Sequence, residues 1–243
     1  MNIQLGSKNY ATLHLFDQRK RDLLLICPGG GYEFTSKREA QPIADCFGTD
    51  GYHTCIYYYR ETKLIYPDTM SEGKQLLDML VANPLVKRII VMGFSAGGHL
   101  AATLATRYPD IVKASVLAYP VITSNIRYRH PGSFLNLLAN DFSQSKLDEV
   151  SLEKHIPKKM GPVFLFHTMD DGLVPVENSM LFLGALRMKR IKAEAHFFES
   201  GQHGVSLATE EVTFDHMSPS DFVREYGHLH AWVTLAKDWL KRL

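Results

Sequence analysis

Arg88-Ile89-Ile90-Val91-Met92-Gly93-Phe94-Ser95-Ala96-Gly97-Gly98-His99 decides the reading of this 243-residue chain. Arg88 to Met92 is a strand-forming run, and the small residues from Gly98 to Arg107 have helical character. Ser95 lies at the turn between them, with a glycine two positions away on each side. A strand that turns this sharply into a helix has no space for bulky neighbours, so the glycines answer a steric demand. The turn holds the Ser95 hydroxyl out above the sheet edge, in the strand, Gly-x-Ser-x-Gly, helix arrangement of a nucleophile elbow. A bare Gly-x-Ser-x-Gly arises by chance in roughly one chain of this length in ten. In that case it is only a glycine-rich turn, so the rest of the sequence has to supply the partners that chemistry would need.

Outward from the elbow, short apolar runs alternate with helical patterns. Residues 21–27 (RDLLLIC), 52–59 (YHTCIYYY), 114–119 (ASVLAY), 162–167 (PVFLFH) and 193–199 (AEAHFFE) read as strands. Between them, Leu76, Leu77, Leu80 and Val81 share one helical face after Asp68, and Val176 to Arg190 forms another helix. Leu229, Trp232, Val233, Ala236, Trp239, Leu240 and Leu243 follow a 3.6-residue period at the end of the chain. This alternation predicts an α/β fold, a mostly parallel sheet with helices on both faces and its site at the carboxyl ends of the strands. Residues 121–160 break the rhythm by separating two strands with some forty residues. They are expected to form a small cap or pocket wall inserted in a single domain spanning 1–243; the alternative is a surface elaboration that only packs.

Composition bounds the function. Hydrophobic residues make up 45% of the chain and charged residues 22%, and 27 Lys and Arg against 26 Asp and Glu leave a net charge of +1. Nothing in that balance draws the protein to nucleic acid or to an anionic membrane. No apolar run approaches the ~20 residues that cross a bilayer, and the first residues lack a signal-peptide pattern. Cys27, Cys46 and Cys55 contain no C-x-x-C pair and read as free thiols of a reducing compartment, so a cytoplasmic location is expected. The apolar C-terminal helix and the insertion offer surfaces for a homo-oligomer.

A serine hydroxyl needs a base to take its proton and a third group to orient that base. The elbow arrangement implies the chain order Ser, acid, His. Asp171, just past the strand ending Phe166-His167, is the expected acid, with Asp170 as its competitor. His203 in Ser200-Gly201-Gln202-His203-Gly204 follows the last predicted strand more closely than any other of the eleven histidines and is the expected base. Oxyanion donors are expected from the amide of Ala96 and from the loop Cys27-Pro28-Gly29-Gly30-Gly31-Tyr32, where glycine lets N–H groups turn inward. A phosphate-cradling loop is the alternative for that glycine run, but the chain has neither Gly-Lys-Ser/Thr nor Gly-x-Gly-x-x-Gly. His228-x-His230 is the only close histidine pair and lacks a metal-site context, so neither a metal nor an organic cofactor is expected.

Four motifs in order, Pro-Gly-Gly-Gly-Tyr at 28–32, Gly-Phe-Ser-Ala-Gly-Gly-His at 93–99, Asp-Gly-Leu-Val-Pro-Val-Glu-Asn-Ser at 171–179 and Gly-Gln-His-Gly-Val-Ser-Leu at 201–207, carry a resemblance. They are similar to the bacterial acetyl esterase and acetylxylan-esterase-like branch of the α/β hydrolases, relatives of the hormone-sensitive-lipase-type esterases. The resemblance runs from about residue 20 to the end and implies an α/β-hydrolase fold and a carboxylesterase acting on small acyl groups, often acetyl groups on sugars. It also implies that the oxyanion donors of the glycine loop are Gly30 and Gly31. Cys27-Pro28 departs from it, since many lipase-type relatives carry His-Gly there, and Thr209 to Tyr226 matches no recognisable pattern.

The reaction expected is acyl transfer from a small-molecule ester. Tyr32 and His130 are the candidate substrate contacts, the latter with Arg127, Tyr128 and Arg129 suiting a polar or sugar-like alcohol. An amidase, arylformamidase-like or peptidase-like hydrolase would use the same triad, although a peptidase of this fold usually carries a further domain for which these residues leave no room. A non-catalytic binding protein on a hydrolase scaffold is the reading of another class, and the complete set of Ser, Asp and His argues against it.

Overall fold

A computed structural model describes residues 1–243. The strands are β1 (Asn2–Gln4), β2 (Tyr10–His14), β3 (Arg21–Cys27), β4 (His53–Tyr58), β5 (Val86–Phe94), β6 (Val112–Ala118), β7 (Val163–Thr168) and β8 (Ala193–Phe198). They form one eight-stranded sheet in the order β1-β2-β4-β3-β5-β6-β7-β8. β1 and β2 pair antiparallel at one edge and every pair from β4 to β8 is parallel. The helices are α1 (Gln41–Gly48), α2 (Asp68–Ala82), α3 (Ser95–Arg107), α4 (Pro131–Leu138), α5 (Gln144–Val150), α6 (Glu177–Met188), α7 (Pro219–Tyr226) and α8 (Ala231–Lys241).

The run RDLLLIC is continuous in apolarity because both faces of β3 are covered. Leu23, Leu25 and Cys27 enter one core with Leu76 and Leu80 of α2, Leu104 of α3 and Phe182 of α6. Leu24 and Ile26 enter the other with Phe47 of α1, Phe222 of α7 and Trp232 and Ala236 of α8. Trp232 stacks on Phe166 of β7 with ring centroids 5.3 Å apart and planes 4° from parallel.

Several expectations are revised. The helix after Asp68 buries Leu76, Leu77 and Leu80, but Val81 is 57% exposed, because the face turned to the sheet is narrower than the apolar run. Leu243 lies beyond α8 and its periodic face. The elbow helix begins at Ser95 rather than Gly98. Thr209 to Tyr226, without a legible pattern, contains α7 and an aromatic cluster in which Phe214 lies edge-on to Phe222 at 5.0 Å. All three cysteines are free thiols, Cys27 and Cys55 fully buried. No helix is long and apolar enough to cross a membrane.

The register brings the functional segments together. Cys27 lies beside Gly93, Phe94 beside Ala118, Ala118 beside Phe166 and Thr168 beside Phe198. The loops that follow β3, β5, β7 and β8 therefore open at one edge of the sheet, its carboxyl end.

Candidate active site

Ser95 follows the last residue of the central strand β5 and begins α3 with φ +52°. A side chain with a Cβ rarely occupies that left-handed region, and such strain persists only when the surroundings enforce it. Here two contacts enforce it. The Ser95 carbonyl accepts the amide of Val121 at 3.0 Å. α3 also presses so closely on the loop after β3 that a Cβ on Gly97 would lie 2.1 Å from the Cys27 carbonyl oxygen.

The loop after β7 presents Asp171, whose side chain is sealed from solvent. Its Oδ1 accepts the amides of Leu173 and Val174, both at 2.9 Å, and its Oδ2 lies 2.6 Å from Nδ1 of His203. His167 supports it from below. Its Nε2 lies 2.9 Å from the Val174 carbonyl, which can only accept, so the proton sits on Nε2 and also faces Asp171 Oδ2 at 3.2 Å. Burial opposes the Asp171 charge, yet hydrogen bonds from His167 and His203, the His203 charge and the Val174 amide hold its carboxyl well below the usual carboxylate range. Asp170, the competitor, turns away and accepts the Gly201 amide at 2.7 Å.

His203 projects from the loop after β8, and its Nε2 is 2.8 Å from Ser95 Oγ. With Nδ1–H donated to Asp171, the Nε2 lone pair faces the serine hydroxyl. The edge of the Tyr119 ring packs on the imidazole, centroids 5.0 Å apart.

Gly30 and Gly31 line the same cavity as Ser95 and His203. Gly30 has φ +118°, a conformation that only glycine adopts readily, and neither the Gly30 nor the Gly31 amide has an acceptor within the chain. Ala96 follows Ser95 in the first turn of α3, where helix amides have no partner four residues back. The cavity holds about 400 Å³. Eight of its fourteen lining residues carry polar or charged side chains; the only two hydrophobic ones are Phe34 and Leu173, both more than half exposed.

The insertion forms part of that wall through His130, Gly132 and Asn136. Asn136 donates to the Gly31 carbonyl at 2.9 Å. His130 lies in the cavity as expected, with Nδ1 2.8 Å from Ser133 Oγ at the start of α4, and burial followed by the charge of His203 lowers its basicity. Tyr32 does not. A φ of +56° turns its side chain into the core, where the hydroxyl donates to His99 Nδ1 at 2.9 Å, so the expectation of a substrate contact at Tyr32 is corrected.

His167, Glu39, Arg38 and Asn136 escaped the sequence reading. Only Asn136 left a signal, as the one polar residue in Phe134-Leu135-Asn136-Leu137-Leu138. No group of three or more His, Cys, Asp or Glu side chains is gathered as a metal site, and His230 Nδ1 is engaged with the Leu207 carbonyl at 2.7 Å.

With this geometry in place, a family model matches residues 61–227, more than half of the chain and spanning the elbow and both later loops. The chain belongs to the prolyl oligopeptidase family. Within that family's α/β-hydrolase fold it is similar to endo-1,4-beta-xylanase B of Butyrivibrio fibrisolvens, 33% identical over 83% of this chain and 35% of that protein. It is also similar to an acetylxylan esterase of Xylanibacter ruminicola, 27% identical over 86% of this chain and 48% of that one. The chain thus spans between a third and a half of the length of these curated relatives. Among solved structures, an acetyl ester-xyloside bifunctional hydrolase from Caldicellulosiruptor lactoaceticus superposes with a TM-score of 0.82. It is 28% identical, over 98% of this chain and 89% of that one. This member of the prolyl oligopeptidase family therefore shares its fold and a substantial part of its sequence with proteins named for ester hydrolysis.

Proposed function

We propose that the chain is a serine carboxylesterase that removes short acyl groups, acetyl above all, from polar alcohols such as sugars. The observation that carries the proposal is the unbroken hydrogen-bonded line from Ser95 Oγ through His203 to Asp171, at 2.8 and 2.6 Å. Ser95 Oγ bonds to the ester carbonyl carbon while its proton passes to His203 Nε2. Asp171 stabilises the imidazolium, and the amides of Gly30, Gly31 and Ala96 receive the negative oxygen of the tetrahedral intermediate. The bond to the alcohol then breaks, and His203 returns its proton to the departing oxygen. Water loses a proton to the same nitrogen, attacks the acyl-serine and releases the carboxylic acid, and Ser95 recovers its proton.

Support for acetyl and sugar comes from the names of the relatives and from polar side chains around the cavity, Glu33, Ser36, Arg38, His130 and Asn136, which can hydrogen-bond a hydroxyl-rich alcohol. The test is the hydrolysis rate of p-nitrophenyl esters from acetyl to dodecanoyl, with Ser95→Ala as blank. A Ser95-dependent rate greatest at acetyl is expected, and the variant should lose about 10⁴-fold or more. A maximum at long chains would remove the short-acyl reading.

The family match favours one second reading, amide hydrolysis by the same residues. Acetyl p-nitroanilide compared with p-nitrophenyl acetate separates the two, and a higher kcat/KM on the anilide would establish the amidase.

A further inference from the structure

Glu39 lies at the back of the cavity with only 3% of its surface exposed. A buried carboxylate is costly unless its oxygens are well satisfied. No lysine or arginine forms an ion pair with it; the neighbouring Arg38 directs Nε to the Val212 carbonyl and Nη2 to the Gly204 carbonyl. Two neutral donors satisfy Glu39 instead. Oε2 accepts the amide of Gly29 at 2.8 Å, and Oε1 accepts the hydroxyl of Tyr119 at 2.7 Å.

The two donors belong to the two halves of the site. Gly29 immediately precedes Gly30, and its own carbonyl accepts the Ser36 amide at 3.0 Å, so the peptide that carries the Gly30 N–H is fixed at both ends. Tyr119 accepts the amide of Ser206 at 3.0 Å and rests its ring on His203. Burial, reinforced by the nearby Glu39 charge, keeps its phenol far above the usual tyrosine range, so it remains a donor to Glu39. The Arg38 backbone adds a parallel tie, its carbonyl accepting Ser206 Oγ at 2.6 Å.

We propose that Glu39 is a positioning residue that locks the glycine loop and the His203 loop into one register, so that the Gly30 and Gly31 amides and His203 Nε2 address the same reacting carbon. The inference rests on the esterase reading. Its consequence lies in the chemical step. The outer wall of His130, Asn136 and Phe34, where a substrate would be held, forms no hydrogen bond with the Glu39 carboxylate, so misregister should lower kcat and leave KM nearly alone.

Glu39→Gln and Glu39→Ala test this with three readouts: kcat and KM on p-nitrophenyl acetate, the rate at which a fluorophosphonate modifies Ser95, and the thermal midpoint. The glutamine keeps one acceptor for the Gly29 amide, so kcat should fall in the order wild type, Gln, Ala, the alanine variant losing about a hundredfold or more while KM stays within about threefold. Phosphonylation of Ser95 should slow in the same order. Retention of kcat within about threefold by both variants, or a loss that only follows the fraction of folded protein, would overturn the proposal. If the alanine variant does not fold, the glutamine variant decides alone by the same threshold. Wild-type protein whose Ser95 is phosphonylated but which turns over no ester would end the esterase reading while the phosphonylation rates still judge Glu39. A Ser95 inert to the phosphonate overturns both.

Discussion

The Asp170 carboxylate holds the Gly201 amide at 2.7 Å, two residues before His203, whereas the adjacent Asp171 reaches the imidazole itself. Two consecutive aspartates thus do different things, one to the loop and one to the ring. Asp171→Asn should lower kcat by about 10³ to 10⁴, because the amide cannot stabilise the imidazolium and disturbs its tautomer. Asp170→Asn keeps an oxygen for the Gly201 amide and should cost less than about tenfold. Steady-state kinetics of the pair check the assignment, and the opposite ranking would reverse it.

His99 offers a pH dependence. It is fully buried between the Tyr32 hydroxyl and the Val150 carbonyl, and burial lowers its pKa from the ordinary 6.5 to about 4. An unfolded chain takes up a proton near 6.5, while the folded chain refuses one until about 4. The native state therefore loses stability as pH falls through that window and regains it fully above the unfolded value. The displacement corresponds to roughly 3 kcal/mol. Denaturant melts of wild type and His99→Gln from pH 7.5 to 4.5 should show a shallower acid-side slope in the variant. Parallel curves would remove His99 as the source.

Two glycine-to-alanine changes should have opposite signs. Gly184 is exposed in the middle of α6 and a Cβ there meets nothing within 4 Å, so Gly184→Ala should stabilise by about 0.5–1 kcal/mol. At Gly97 the added carbon would meet the Cys27 and Pro28 carbonyl oxygens at 2.1 and 2.3 Å. Gly97→Ala should destabilise by about 2 kcal/mol or more and displace the loop that carries Gly30. Thermal melts measure both.

His130→Asn removes the imidazole from the cavity while leaving a good N-cap for α4, where Ser133 N now donates to His130 Nδ1 at 3.2 Å. KM for acetylated sugars should rise about three- to tenfold, with kcat on p-nitrophenyl acetate little changed. Equal loss on both substrates would make His130 a structural cap only.

The central strands were legible because burial on both faces leaves an uninterrupted apolar run, as in Leu23 to Cys27. β1 and β2 were not, since they are three and five residues long and alternate with exposed Asn2 and Gln4 and half-exposed Tyr10 and Thr12 at the antiparallel edge. α1 escaped because its eight residues include Pro42 and Gly48. In the aromatic cluster, Phe222 and Tyr226 share one face of α7, but Phe214 lies outside that helix and joins them only on folding, with the Arg38 guanidinium 4.4 Å above its ring. Ser95, Asp171 and His203, which lie within hydrogen-bonding distance in a line, could be singled out because each follows a recognisable strand. Glu39 and Arg38 could not, because their partners Tyr119 and Gly204 lie 80 and 166 residues away and nothing in their own neighbourhood announces them. The misplacement of Tyr32 has a single cause, a left-handed backbone angle hidden behind a motif.

The carbonyls of Ser206 and Leu207 hang from Trp232 Nε1 and His230 Nδ1, at 2.9 and 2.7 Å. During synthesis the serine, the aspartate and the histidine are all joined to the chain before these two hooks exist. A ribosome-bound chain that ends short of Trp232 holds Ser95, Asp171 and His203 but lacks the bond that Trp232 makes to the histidine loop. On the esterase reading, reactivity of Ser95 towards an acylating probe should therefore rise when the last helix docks and these two bonds form.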